Sequence, residues 1–201
     1  MKYIIVLLLL CPSIAQAVCD VKYKRSDYKH WISTPESLDA GLKDVRQLAI
    51  AKAVVSGLEI KNGRVISGLW HDLYTGKLYK LDEVKPDGEH LISLAWASAR
   101  GGLCATKKQR EALANDIQNI WAVHPSANRK KGARVSDYLP PNLGICKEYL
   151  AQIKKVIQTH DWIKPTSEDV DLFEQTEQKC HEIRNGIFIK KQLRWFERIF
   201  K

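Results

Sequence analysis

Apolar positions recur at helical spacing after residue 33. Ser33 or Thr34 can serve as N-cap, Pro35 fits the first helical position, and Glu36 sits in the first turn. Leu38, Leu42, Val45, Leu48 and Ala49 then fall on one stripe, and Gly57 offers a stop. One amphipathic helix with its stripe on the core is predicted. The pattern next becomes extended: Leu58 and Ile60, the pair Asn62 and Gly63, then Val65 and Ile66 read as a tight β-hairpin. A second turn over residues 74–77 joins extended segments 70–73 and 78–81.

Pro86, Asp87 and Gly88 turn the chain into a short strand over residues 89–92. Residues 93–99 look helical and end at Gly101 and Gly102, while Thr106 can cap a helix running to about Ile117. Residues 119–123 return as a strand, and Pro125 and Ser126 open a short helix carrying Asn128. The local order is strand, insert, strand, helix. Pro140 and Pro141 forbid helix, and residues 145–159 and 168–185 then form two helices joined through Lys164, Pro165 and Thr166. Asn185 and Gly186 precede a final helix over residues 187–200, whose stripe of Ile189, Leu193, Phe196 and Phe200 is expected to pack on the core. The expected class is α+β in a single domain, residues 18–201, with its central unit at about 82–142 and C-terminal helices over 145–201.

The first seventeen residues are expected to stand outside that domain. Lys2 gives a positive start, residues 4–10 an apolar run too short for the ~20 residues of a membrane span, and Ala15 and Ala17 a small-x-small cleavage site. Export to the periplasm or the medium follows, and no later stretch predicts stable membrane insertion. Four cysteines remain, an even count that suits two disulfides in an exported chain, whereas no CxxC or HxxxH spacing suggests zinc. A helical hairpin centred near Ile163 would put Cys146 and Cys180 level, which leaves Cys19 with Cys104. The net charge of +9 and pI near 9.3 favour a polyanionic partner, nucleic acid or an anionic surface.

Chemistry concentrates in residues 87–142. His90, with an ordinary pKa near ~6.5, can be a neutral base, and Glu89 is a hard oxygen ligand for Mg²⁺ or Mn²⁺. Neighbours on a regular strand face opposite ways, so sharing one centre calls for an irregular strand end beside Gly88. Asn128 offers a carboxamide oxygen to a metal, and Asn119 starts the strand expected beside His90, which it can orient by hydrogen bonding. Arg129, Lys131 and Arg134 supply cations for phosphates.

These residues resemble the HNH-type endonucleases of the ββα-metal superfamily, most closely a branch of small exported proteins. A WxDxYTG segment of that branch is matched by Trp70, Asp72, Tyr74, Thr75 and Gly76. Its Asp-His-hydrophobic-hydrophobic-Pro-Leu motif corresponds to Glu89, His90, Leu91, Ile92, Ser93 and Leu94, with Glu for Asp and Ser for Pro. An FANDxxN-like stretch is matched from Leu113 to Asn119, an SxNRxKG motif by Ser126, Asn128, Arg129, Lys131 and Gly132, and an xLPPNxxxC motif from Tyr138 to Cys146. The resemblance spans roughly half the chain, residues 69–163. It implies a ββα-metal core, His90 as general base, Asn128 as metal ligand, Asn119 as the residue that positions the base, and one divalent ion, usually Mg²⁺. Glu-His is also the pairing in endonuclease I-type enzymes of the superfamily. Asn115 and Asn119 can exchange roles on spacing alone.

Other polar residues carry plainer readings. His71 and Asp72 read as a strand-end histidine and a turn-capping aspartate before they read as ligands, and His124 as the start of a helix. His30, His160 and His181 are expected to be structural. The function expected is metal-dependent hydrolysis of DNA, with RNA as the second substrate class. The rival is a non-catalytic exported protein that binds polyanions or the cell envelope.

Overall fold

Turn chemistry sets the strand plan. Asn62 and Gly63 both hold positive φ, 52° and 70°, as a two-residue hairpin turn requires, so β1 (Val54–Lys61) folds straight back onto β2 (Arg64–Asp72). At the next turn Asp72 is fully buried and accepts bonds from Tyr74 N at 3.1 Å and Thr75 Oγ1 at 2.5 Å, which confirms its turn-capping role. β3 (Lys77–Lys80) follows and completes a three-stranded antiparallel sheet in the order β1-β2-β3. A second antiparallel sheet has two strands, β4 (Asp87–His90) and β5 (Ile120–Val123), with Asp87 opposite Val123 and His90 opposite Ile120. This structure, a computed structural model, describes residues 22–184 and Gly186.

The first predicted helix is two. Thr34 and Ser37 form a capping box at α1 (Pro35–Asp39), and the chain leaves helix at Gly41, φ 69°. Asp44 then caps α2 (Val45–Ala53) by accepting from Gln47 N at 2.9 Å. Two side chains competing for backbone N–H groups split the stripe: Leu42, Val45, Leu48 and Ala49 are buried, but Leu38 is 61% exposed. α2 passes directly into β1 at Val54, so Gly57 lies inside a strand.

Between the strands of the second sheet come α3 (Leu94–Ala97), an irregular turn over Ser98–Gly102, and α4 (Lys107–Ala114) behind a Thr106–Gln109 capping box. α4 stops short of the expected Ile117 because Asp116 accepts from Gln118 N at 2.8 Å and starts a separate short turn, Ile117–Asn119. α5 (Pro125–Lys131) opens at His124, whose Nδ1 accepts from Ser126 N at 3.2 Å, as its plainer reading required. α6 (Cys146–Thr159) and α7 (Ser167–Arg184) form the expected helical hairpin. The predicted Cys146–Cys180 disulfide joins them, with Cα atoms 5.9 Å apart. His160 ends α6 paired to Asp116 at 3.0 Å.

The main core lies between the second sheet, α4 and α6. Tyr74, Tyr138 and Tyr149 meet there with ring centroids 5.7–5.9 Å apart, backed by Leu113, Val123 and Ile153. The architecture is α+β, as expected. Among the described residues no helix is long and apolar enough to cross a membrane. The expected leader over residues 1–17, Cys19 of the second expected disulfide and the expected final helix over 187–200 lie outside the described residues.

Candidate functional site

Strand β4 pairs regularly with β5 through His90, so no irregular strand end brings Glu89 and His90 together. The two side chains leave on opposite faces. Gly88 and His90 face the N-terminal segment, where a Cβ on Gly88 would come 2.9 Å from the indole of Trp31. Asp87 and Glu89 face α5, where they meet Asn128 and Lys131. Among the described residues β4 has a partner on one side only, and a cleft of about 320 Å³ is lined by Gly88, Glu89 and His90 in succession. Consecutive residues of a strand can line one cleft where it runs along the strand's unpaired edge. Asn128 and Arg129 of α5 line it too. The edge thus unites what the pleat separates.

His90 is 6% exposed. Its Nε2 donates to the carbonyl of Ala114 at 2.9 Å, which fixes the tautomer and leaves the lone pair on Nδ1. Burial holds its pKa down at about 4, and the nearby His30, Arg25 and Lys131 push the same way against the Ala114 bond. The ring stacks on Trp31, and His30 lies edge-on at 6.3 Å, so His30 belongs to the surroundings of this imidazole.

Neither asparagine bonds the imidazole. Asn119, fully buried, accepts from Ile92 N at 2.8 Å and donates to Leu113 O at 3.2 Å, so it ties the backbone just before Ala114 to the backbone two residues after His90. Asn115 instead ties down the N-terminal segment: its Nδ2 donates to Lys29 O at 2.6 Å and its Oδ1 accepts from Ile32 N at 3.1 Å. Between those anchors Trp31 holds φ 60°, an uncommon backbone for a bulky residue. The group that orients the ring directly is the backbone carbonyl of Ala114, which no side-chain pattern in the sequence marks.

Lys131, expected among the phosphate cations, is 1% exposed. Its ammonium lies 2.5 Å from Glu89 Oε1 and donates to the carbonyl of His90 at 3.1 Å. That ion pair is the contact made by the buried Oε1. Burial raises the Glu89 pKa and lowers that of Lys131, each opposed by the other's charge. Asn128 Nδ2 donates to Asp87 Oδ2 at 3.1 Å, which turns the carboxamide, and among the described residues no hydrogen bond engages its Oδ1. Asp87 therefore belongs to the site, although its place in a Pro-Asp-Gly turn masked it.

A carboxylate and a carboxamide are hard oxygen donors of the kind a divalent cation takes. No group of three or more His, Cys, Asp or Glu side chains among the described residues could hold one. A cation here would be shared by one carboxylate, one carboxamide, water and substrate oxygens, a donor set that Mg²⁺ accepts.

Arg129 is exposed at the cleft, where a phosphate can reach it. Arg134 is exposed but turned to α5 and Tyr138: Nη2 donates to Lys130 O at 2.8 Å, and the guanidinium lies 5.1 Å from the Tyr138 ring centre. Ser93, standing where the resembled motif has Pro, has φ −59°, caps α3 and donates to Ala133 O at 2.9 Å, pinning the loop after α5 to the cleft rim. Tyr23 and Arg25 complete the lining from a segment with no periodicity to reveal it. His71 lies away from this cleft, on β2. No protein-family model, curated protein or solved structure matches the chain.

Proposed function

We propose that this chain is a divalent-metal-dependent endonuclease of the HNH, ββα-metal kind, hydrolysing phosphodiester bonds of DNA, with RNA as the second substrate class. The observation that carries this reading is a single cleft, about 320 Å³, lined by a neutral buried imidazole, a buried carboxylate and a carboxamide. Its strand–strand–helix setting, β4, β5 and α5, agrees with the resemblance of its motifs.

Phosphodiester hydrolysis needs a base for the attacking water and positive charge at the phosphate. His90 serves as the base through Nδ1, because Nε2 is committed to Ala114. Glu89 and Asn128 would hold the cation, Mg²⁺ or in its place Mn²⁺, which would supply Lewis-acid charge to the scissile phosphate and the leaving oxygen. Asp87 turns the carboxamide of Asn128, Lys131 balances Glu89, and Arg129 meets the nucleic-acid backbone. A net charge of +9 supports a polyanionic substrate, and the leader-like start together with the Cys146–Cys180 disulfide supports action in the periplasm or the medium.

The test is purified mature protein on duplex DNA, single-stranded DNA and RNA with Mg²⁺, Mn²⁺ or EDTA. Cleavage that stops with EDTA and with His90→Ala, while His90→Ala still binds Mn²⁺, is expected. A mobility shift without cleavage under every metal would replace this reading with the polyanion-binding one.

A further inference from the structure

The segment over residues 23–32 is built into the site as firmly as α5. Tyr28 is 1% exposed, and a Cβ on Gly102 would meet its hydroxyl at 2.2 Å. Arg110 Nε donates to Asp27 O at 3.3 Å, Asn115 bonds Lys29 and Ile32, and Val45 N donates to Ile32 O at 3.0 Å. Upstream of those anchors, a short turn over Arg25–Asp27 presents Arg25 at the cleft. Its side chain is exposed, and among the described residues no hydrogen bond or ion pair engages its guanidinium. Its charge nevertheless acts on both Glu89 and His90. The segment lies against the His90 face of β4 and α5 against the Glu89 face, so Arg25 and Arg129 approach the cleft from different walls.

Building on the nuclease reading, we propose that Arg25 is a substrate-binding residue that holds a backbone phosphate of the nucleic acid beside the one met by Arg129. A fork of N–H donors on a pre-anchored turn suits a phosphate, and holding two phosphates from two walls would lay the bond between them across His90.

The experiment is the salt dependence of binding to a fluorescent DNA duplex in EDTA, where nothing is cut. Each lost phosphate contact lowers the slope of log K against log salt by about 0.9 for a duplex. Arg25→Ala is expected to lower the slope by about that amount and to raise KM for cleavage more than it lowers kcat, while Arg25→Lys keeps the slope. Lys61→Ala, which removes the same charge at the hairpin tip, is expected to leave both unchanged. An Arg25→Ala slope equal to wild type, or a Lys61→Ala loss as large, overturns the proposal even if the wild type is a nuclease. A wild type that binds the duplex but never cleaves it sinks the nuclease reading, and the slopes still decide Arg25. Absence of binding by the wild type overturns both.

Discussion

The indole of Trp31 lies against the imidazole of His90, ring centroids 4.9 Å apart and planes 18° from parallel. This contact covers the ring in apolar surface, and that burial holds the imidazole neutral down to about pH 4. Trp31→Ala would let water reach the ring and raise the pKa towards the ordinary ~6.5. On the proposed nuclease reading the acid limb of the kcat profile is then expected to move up in pH, with the imidazole NMR titration of the metal-free protein moving the same way. An unmoved limb would mean that Trp31 is not what keeps the ring dry.

The same burial links folding to pH. The folded-state pKa lies below the unfolded value, so between pH 6.5 and about 4 the unfolded chain binds a proton that the folded ring refuses. Stability from this residue is complete above pH 6.5 and is lost as pH falls through that window. At about 1.4 kcal/mol per pKa unit the gap corresponds to about 3 kcal/mol. Urea unfolding across pH 4 to 7 should show metal-free wild type losing stability relative to His90→Gln as pH falls. Parallel curves would contradict a buried neutral histidine.

Local signals were the legible ones. Asn62 with Gly63 states its own turn, Pro125 its own helix start, and two helices of similar length set Cys146 beside Cys180. What the sequence hid depends on partners distant along the chain. Asp44 reads as one polar residue in a helical stripe until its cap is seen. Lys131 sits in a basic run that looks solvated, and its burial follows from Glu89 waiting across the site. Arg25 and Trp31 belong to a stretch without periodicity, placed by Asn115 and Arg110 rather than by any pattern of their own.

Two cations on one short helix should therefore fail differently. Lys131→Met removes the counter-charge of a buried carboxylate, and breaking a buried pair from one side costs about 3–5 kcal/mol. Arg129→Ala removes an exposed group at the cleft and should leave stability within about 0.5 kcal/mol of wild type while raising KM for DNA. Denaturation midpoints beside KM values separate the two. If Lys131→Met unfolded like wild type and only weakened DNA binding, the ammonium would be turned to substrate after all.

Asp169 carries a further buried charge, far along the chain, and its effect should be on stability. It is 1% exposed and accepts from Arg100 Nε and Nη2 at 2.5 and 2.6 Å, from Trp96 Nε1 at 3.2 Å and from Ser136 Oγ at 3.1 Å. It also completes the capping box of α7 with Thr166. Burial alone would raise its carboxyl, but the bonds from Arg100 and Thr166 outweigh that and hold it below the usual carboxylate range. Asp169→Asn keeps the shape and removes the charge, leaving Arg100 without its counter-ion. A loss of about 3–5 kcal/mol in urea unfolding is expected. Arg100→Ala should lose at least as much, since it leaves the 1%-exposed carboxylate without its counter-charge, and the double variant should lose less than the two single losses added together. Losses that simply add would mean the two side chains stabilise α7 separately, and the fork between them would then contribute nothing of its own.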